Sequence, residues 1–362
     1  MTEVARRKAS HLALCTDNDV EARGSTLLEE VTLLHDALPE LALDQVDLRM
    51  DFLGRRLAAP ILISGMSGGA EQARTLNREL AAAAQRHGFA MGLGSQRAML
   101  DEAYRADTYR VRELAPDVPL LANLGVVQAR DAGPKAVEAL VRDIDADGLC
   151  LHLNAAQELV QDEGDRDFRG CLAAIGEIVA QVPAPVVVKE TGCGLAPATL
   201  NRLRGAGVRW VDVAGAGGTT WTGVEALRGS AAQRVRGETL REWGIPTAAS
   251  LIYARRRGLR TIASGGIRDG ADVIRALALG AELVGLALPF LRAFARGGRE
   301  GLDQEATGLT ETLRAMMLLT GAQRVATVRK VPRVIGGKLQ RWIDSDSPVQ
   351  SSSPTSPSPG AV

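Results

Sequence analysis

The chain has 362 residues, 46 % hydrophobic and 24 % charged, with a formal net charge of zero. That length supports a full core, and the missing basic surplus argues against a nucleic-acid partner. Cys15, Cys150, Cys171 and Cys193 show no CxxC spacing, which excludes a zinc ribbon and a disulfide framework and reads as reduced thiols.

In chain order, residues 1–59 form an N-terminal extension expected to contribute to the active-site mouth. Its opening, MTEVARRKASH, lacks the apolar core of a secretion signal. No apolar run approaches the about 18 residues of a membrane span. A cytoplasmic chain without a membrane partner is therefore expected. The basic knot Arg6-Arg7-Lys8 with His11 would bind an anionic substrate if it folds over a mouth.

From Pro60 onward, short apolar runs alternate with Ala/Leu/Arg-rich amphipathic stretches. The runs are PILIS (60–64), FAMGL (89–93), PLLAN (119–123), GLCLHLN (148–154), PVVVKE (185–190), RWVDVAG (209–215), RTIASGG (260–266) and ELVGLAL (282–288). Continuously apolar strands separated by helices predict a parallel sheet covered by helices. Eight of them predict an α/β fold, a closed (β/α)8 TIM barrel over 60–343. The alternative is a doubly wound open sheet, disfavoured by the number of units and by the lack of a GxGxxG after the first strand. Helices are expected over Ala70–Gly88, with the glycine as its stop, over Ala271–Ala281 after an Asp269-Gly270 cap, and from Pro246-Thr247. The long gap between Gly215 and Arg260 reads as a Gly/Arg-rich loop, a lid or an interface, ahead of that last helix. Residues 344–362, rich in Ser and Pro, read as a disordered tail.

The polar interruptions gather at the carboxyl ends of the strands, which form the catalytic face of such a barrel. They are Ser64 to Gly69, Gly94 to Arg97, Asn123 to Gly125, the His152–Glu158 stretch, Lys189 to Gly192, Gly215 to Thr220 and Ser264 to Arg268. SGGIRDG opens a helix, so its glycines and Arg268 suit a phosphate, and AGAGGTT adds a second glycine-rich loop. Lys189 would form a Schiff base, lie against an electron-rich cofactor ring, or pair structurally with Glu190. His152 and Asn154 share one strand face. A lone Glu158 with amide neighbours suits Mg2+ and not zinc, the other reading being a helix cap over a buried histidine.

These residues resemble a known family. RKASH, HDALPE (35–40), SGMSGG, GSQRA, ANLG, HLNAAQE, EGDRDFRG (163–170), VVKETGCG, AGAGGT, SGGIRDG and LTGA, spread over about residues 7–321, are similar to the type 2, FMN-dependent isopentenyl diphosphate isomerases. The resemblance implies a homo-octameric barrel that interconverts isopentenyl and dimethylallyl diphosphate with Mg2+ and reduced FMN, NADPH being the expected reductant. It implies FMN contacts at Ser64, Gly65, Met66, Ser67, Ser95, Asn123, Lys189, Thr219, Gly266, Ile267, Arg268, Ala287 and Leu288. It implies substrate contacts at Arg7, Lys8, His11, Ser95, Gln96, Arg97 and Gln157. Glu158 would bind the metal, and Gln157, His152 and Asn154 would be the catalytic residues. A diphosphate needs cations and a metal, and the alkene needs an apolar pocket with a tuned proton donor.

Four positions depart from the family's usual residues, namely Ser67, Ala214, Ala216 and Leu288, and each is expected near the flavin. The rival reading is another FMN-dependent barrel oxidoreductase such as a 2-hydroxy-acid oxidase, which would want a histidine base beside AGAGGTTW. An IMP-dehydrogenase-like enzyme using Cys193 and a non-catalytic flavin binder are further alternatives.

Overall fold

Eight parallel strands close a barrel in the computed structural model, which describes residues 3–101 and 103–346. They are β1 (Ile61–Ile63), β2 (Ala90–Gly92), β3 (Leu120–Gly125), β4 (Gly148–Leu153), β5 (Val186–Glu190), β6 (Trp210–Asp212), β7 (Arg260–Ala263) and β8 (Leu283–Leu286). Each pairs in parallel with its successor, and β8 returns to β1. The predicted (β/α)8 barrel is thus the fold, and the open sheet is excluded. Seven of the strands lie inside their apolar runs, and β3 continues two residues past PLLAN to Gly125. Six of the runs overreach at their carboxyl ends, because the residues there leave the ladder to form the rim. Leu288, the last residue of the eighth run, already starts the helix Leu288–Leu318.

The outer helices follow from their patterns. Glu71–His87 buries Ala73, Leu76, Leu80 and Ala84, an i, i+3, i+4 stripe. Each leucine so buried contributes about 2 kcal/mol. Gly88 stops this helix in the left-handed region at φ 63°, where a Cβ would stand 2.7 Å from that of Ala58. Asp269 caps Gly270–Ala278, its carboxylate accepting the Asp272 N–H at 2.9 Å. Thr247–Arg256 begins where Pro246 predicts.

The expected loop after β6 is instead largely helical. Thr220 caps Trp221–Arg228, and a Ser230–Gln233 capping box starts Ala231–Leu240. The glycines that suggested a loop serve close packing. A Cβ on Gly237 would lie 2.5 Å from the Thr222 carbonyl oxygen and 2.6 Å from the Ala226 Cβ.

The N-terminal extension reaches both ends of the barrel. A hairpin, Met50–Phe52 with Arg55–Leu57, plugs the amino-terminal end. Phe52 and Leu57 pack there with one buried side chain from every barrel strand, Leu62, Ala90, Leu121, Cys150, Val187, Trp210, Ile262 and Leu283. Phe52 meets Trp210 edge to face at 5.2 Å. At the other end lies the helix Glu3–Asp17. Val31–Leu33 pairs antiparallel with Arg333–Ile335, tying the extension to the C-terminal segment.

The expected tail begins too early. The last helix runs Gly337–Ser345, and the Asp346 carboxylate pairs with Arg257 at 2.6 Å and Arg256 at 3.4 Å. Residues 347–362 lie outside the described residues. Among the described residues no helix is long and apolar enough to cross a membrane.

Candidate active site

All eight strand ends line one cavity at the carboxyl-terminal mouth, roofed by His11, Leu12 and Cys15 of the N-terminal helix and by Trp221. Parallel register sets Gly125, His152, Lys189 and Asp212 side by side across β3, β4, β5 and β6. One end of this row faces a pocket of glycines and hydroxyls. The other faces amides, a carboxylate and a histidine.

On the glycine side, Lys189 donates from Nζ to Asp212 at 2.7 Å and to the Ser264 hydroxyl at 3.1 Å. The Ser264 hydroxyl in turn donates to the other Asp212 oxygen at 2.6 Å. Lys189 therefore pairs with Asp212 and not with Glu190. Adjacent strand residues point to opposite faces, and the Glu190 carboxylate instead accepts the N–H groups of Thr191 at 2.6 Å, Gly192 at 2.7 Å and Cys193. Burial outweighs those bonds and pushes Glu190 up to about 7. Both contacts tie the Lys189 Nζ to groups of the protein itself, which argues against its use as a Schiff-base nucleophile.

Ser64 and Ser67 turn hydroxyls into buried space where no partner meets them. Buried polar groups are rarely left so, and both of these line the cavity. The loops after β6 and β7 touch through backbone alone, since a Cβ on Gly218 would sit 2.2 Å from the Gly266 nitrogen. Gly265 and Gly266 have φ of 97° and 72°. Just beyond, Arg268 pairs with Glu21, which also meets Arg292 at 3.2 Å. Unmet hydroxyls, glycine loops, a following helix N-terminus and a cation make a cradle that fits a phosphate-bearing ring cofactor.

On the amide side, His152 Nδ1 and Asn123 Oδ1 are 2.8 Å apart. Asn123 gives its NH2 to the Leu93 carbonyl at 2.9 Å, so its oxygen accepts, and the His152 proton lies on Nδ1. The short helix Ala155–Val160 points its two functional side chains apart. Glu158 is buried, accepting the Asn154 amide at 2.6 Å and the Asp165 N–H at 2.8 Å. Gln157 donates to Glu225 at 3.0 Å. Glu225 also takes Gln161 at 3.0 Å, Arg228 at 2.8 Å and His11 at 2.9 Å. Burial alone would raise the Glu225 pKa, but His11, Gln157 and Arg228 together hold it below the ordinary range. The His11 ring meets Trp221 at 5.1 Å.

Most expected site residues line this cavity: His11, Gly65, Met66, Ser95, Arg97, Asn154, Thr219, Ile267, Ala287 and Leu288 besides those already placed. Gln96 does not. It is buried beneath the rim, taking the Asn123 N–H at 2.9 Å and donating to the Leu140 carbonyl at 3.3 Å, so it supports Asn123. Ala216 also faces elsewhere, its N–H bonded to the Ile245 carbonyl. The Arg7 and Lys8 side chains lie outside the described residues. Among the described residues no cluster of three or more His, Cys, Asp or Glu gathers to hold a metal. One cavity carboxylate with room for phosphate oxygens still fits Mg2+, which commonly takes one or two carboxylates. Asp212 and Glu225 escaped the sequence reading. An acid inside the apolar run RWVDVAG signals Asp212. Glu225 follows Trp221 at i+4 on one helix face, a spacing hidden by the loop assignment.

The FMN-dependent dehydrogenase family matches residues 149–332. An isopentenyl-diphosphate delta-isomerase of Methanosarcina mazei is 44 % identical over 347 residues, covering 94 % of this chain and 94 % of that protein. One from a Synechococcus species is 48 % identical, covering 91 % of this chain and 96 % of its own length. Among solved structures, a Pediococcus acidilactici lactate oxidase superposes with a TM-score of 0.64 at 17 % identity, covering 92 % of this chain and 91 % of its own. A mandelate oxidase variant with a C4a-hydroxy FMN adduct does so with 0.62 at 18 % identity, covering 92 % and 99 %. Such low identities speak for the fold alone.

Proposed function

The chain belongs to the FMN-dependent isopentenyl-diphosphate delta-isomerase family, and from that premise we propose that it interconverts isopentenyl and dimethylallyl diphosphate using reduced FMN and Mg2+. The observation that carries this is the split at the end of β4, where adjacent Gln157 and Glu158 are fixed in different directions on one mouth.

FMN fits the glycine side. Ser64, Ser67, Thr219 and Lys189 would hold its ring system, with Gly65, Met66, Ser95 and Asn123 beside it. Gly266, Ile267, Arg268, Ala287 and Leu288 would hold its phosphate, with Arg268 supplying charge. Reduced FMN, when bound, supplies the proton-transfer chemistry at the substrate's double bond. Glu158 would hold Mg2+ against the diphosphate, because its oxygens keep lone pairs after taking Asn154 and Asp165. Arg97, Ser95, His152 and Asn154 would meet the diphosphate, joined by Arg7, Lys8 and His11 of the N-terminal helix. Leu12, Met66 and Trp221 wall the apolar end and exclude water from a cation-like carbon. Gln157 is a neutral amide and a poor acid, so it orients groups at the reacting carbons. Glu225 fixes it there, and through His11 couples that amide to the N-terminal helix. NADPH is the proposed reductant, and the homo-octamer is part of the same proposal.

The oxidase reading fares worse on chemistry. Neither cavity histidine stands in the loop after β6: His11 meets Glu225 and His152 meets Asn123. Anaerobic assays decide between the two. Isopentenyl diphosphate should be converted only when FMN has been reduced by dithionite or NADPH and Mg2+ is present. Lactate should neither reduce the bound flavin nor yield peroxide in air. Flavin reduction by lactate, with no turnover of the diphosphate, would reverse the assignment.

A further inference from the structure

The EGDRDF stretch has no role in the reaction described so far, yet three of its residues converge on Glu158. A Cβ on Gly164 would lie 1.9 Å from the Glu158 carbonyl oxygen, so only glycine lets the loop approach. The Asp165 N–H bonds Glu158 Oε2 at 2.8 Å. Its carboxylate accepts the Gln128 amide at 2.7 Å, anchoring the loop to the helix after β3. Arg166 donates both ends of its guanidinium to carbonyls, those of Glu158 and Gln161. These carbonyls lie at the end of the short helix Ala155–Val160, where helical partners run out and the Gln161 carbonyl otherwise takes only a long turn bond from the Gly164 N–H at 3.4 Å. Asn154 holds the remaining Glu158 oxygen at 2.6 Å.

From this convergence we propose that Gly164, Asp165 and Arg166 are positioning residues for the carboxylate that presents a divalent cation to the diphosphate. The inference rests on the metal reading of Glu158 above. Six helical residues cannot hold their own shape, and Asn154 alone leaves the carboxylate free to swing. The loop adds a fixed donor to one carboxylate oxygen and locks the backbone carrying it. Such outer partners of metal ligands contribute about 10- to 100-fold in metal affinity.

Mn2+ binding to the FMN-loaded protein, followed by electron paramagnetic resonance with inorganic pyrophosphate present, tests this without turnover. Arg166→Ala should weaken Mn2+ binding about tenfold while FMN affinity stays as in the wild type, and added Mg2+ should restore turnover. Arg166→Lys should recover part of the loss. Wild-type Mn2+ affinity in a folded Arg166→Ala protein would overturn the role. If that variant fails to fold, Gly164→Ala poses the same question by the same measurement, because its methyl group displaces the Glu158 backbone and leaves every charge in place. Glu158→Gln separates the two claims. Unchanged Mn2+ binding there sinks the metal reading itself, whereas weakened binding there with an unaffected Arg166→Ala sinks only the positioning role.

Discussion

Lys189 and Asp212 face one another from adjacent strands, and their side chains keep only 13 % and 1 % of their exposure. Such a pair is costly to form but costlier to break, since the survivor is left buried and charged. Asp212→Ala is expected to destabilise the chain by about 3 kcal/mol and to weaken FMN binding, read from urea midpoints and flavin titration. A variant with wild-type stability would mean that Lys189 finds another partner. Glu190 predicts a pH dependence. Its folded pKa is pushed from 4.5 to about 7, so the folded chain holds the proton more tightly than the unfolded one. Stability is then greatest below 4.5 and falls as pH rises through the window from 4.5 to about 7. Glu190→Gln should lack this fall, gaining on the wild type by on the order of 3 kcal/mol across it. Parallel pH profiles of urea stability for the two proteins would contradict the assignment. Residue chemistry was partly legible in the sequence. The polar ends of the apolar runs gave the mouth, because parallel strands deliver all such ends to one rim. Pairings were not legible. Lys189 was offered Glu190 as its neighbour in sequence, while its true partner lies 23 residues on and beside it only through β5–β6 register.

At the scale of elements, the roof over the mouth was the part missed. Its glycines resemble loop glycines in composition, but Gly223 and Gly237 lie inside helices that approach closely. Gly237→Ala tests this. Helix propensity alone favours alanine by about 1 kcal/mol. The added methyl would meet the Thr222 carbonyl oxygen at 2.5 Å and the Ala226 Cβ at 2.6 Å, neither of them the end of a flexible side chain that could move aside. Overpacking should win, giving a net loss of about 1 kcal/mol or more, with a raised KM because Trp221 and Glu225 ride on the displaced helix. Stabilisation on calorimetry would show the helices to be loosely packed. Helix ends were better legible, since Gly88, Asp269 and Pro246 act through local backbone chemistry that needs no tertiary context.

For the whole molecule, stability and chemistry sit at opposite ends of the barrel. The hairpin plug gathers one side chain from each strand around Phe52 and Leu57 at the amino-terminal end. Phe52→Ala should cost about 3 to 5 kcal/mol in urea denaturation yet leave kcat near its wild-type value under native conditions. A large fall in kcat in the folded variant would show the two ends to be coupled. The barrel itself was legible because eight apolar runs separated by amphipathic stretches admit few closed arrangements. The plug was not, because its hairpin belongs to an extension with no periodic signal, and only the closed ring gives Phe52 something to fill. The account as a whole stands on proton chemistry at the diphosphate-bearing mouth. Its most direct test is an anaerobic incubation of the FMN-loaded, dithionite-reduced protein with isopentenyl diphosphate and Mg2+ in D2O, followed by NMR. Deuterated dimethylallyl diphosphate, formed by the wild type and lost in Glu158→Gln, is the predicted result. An FMN-loaded, fully reduced protein that returns isopentenyl diphosphate without isomerisation or deuterium would contradict it.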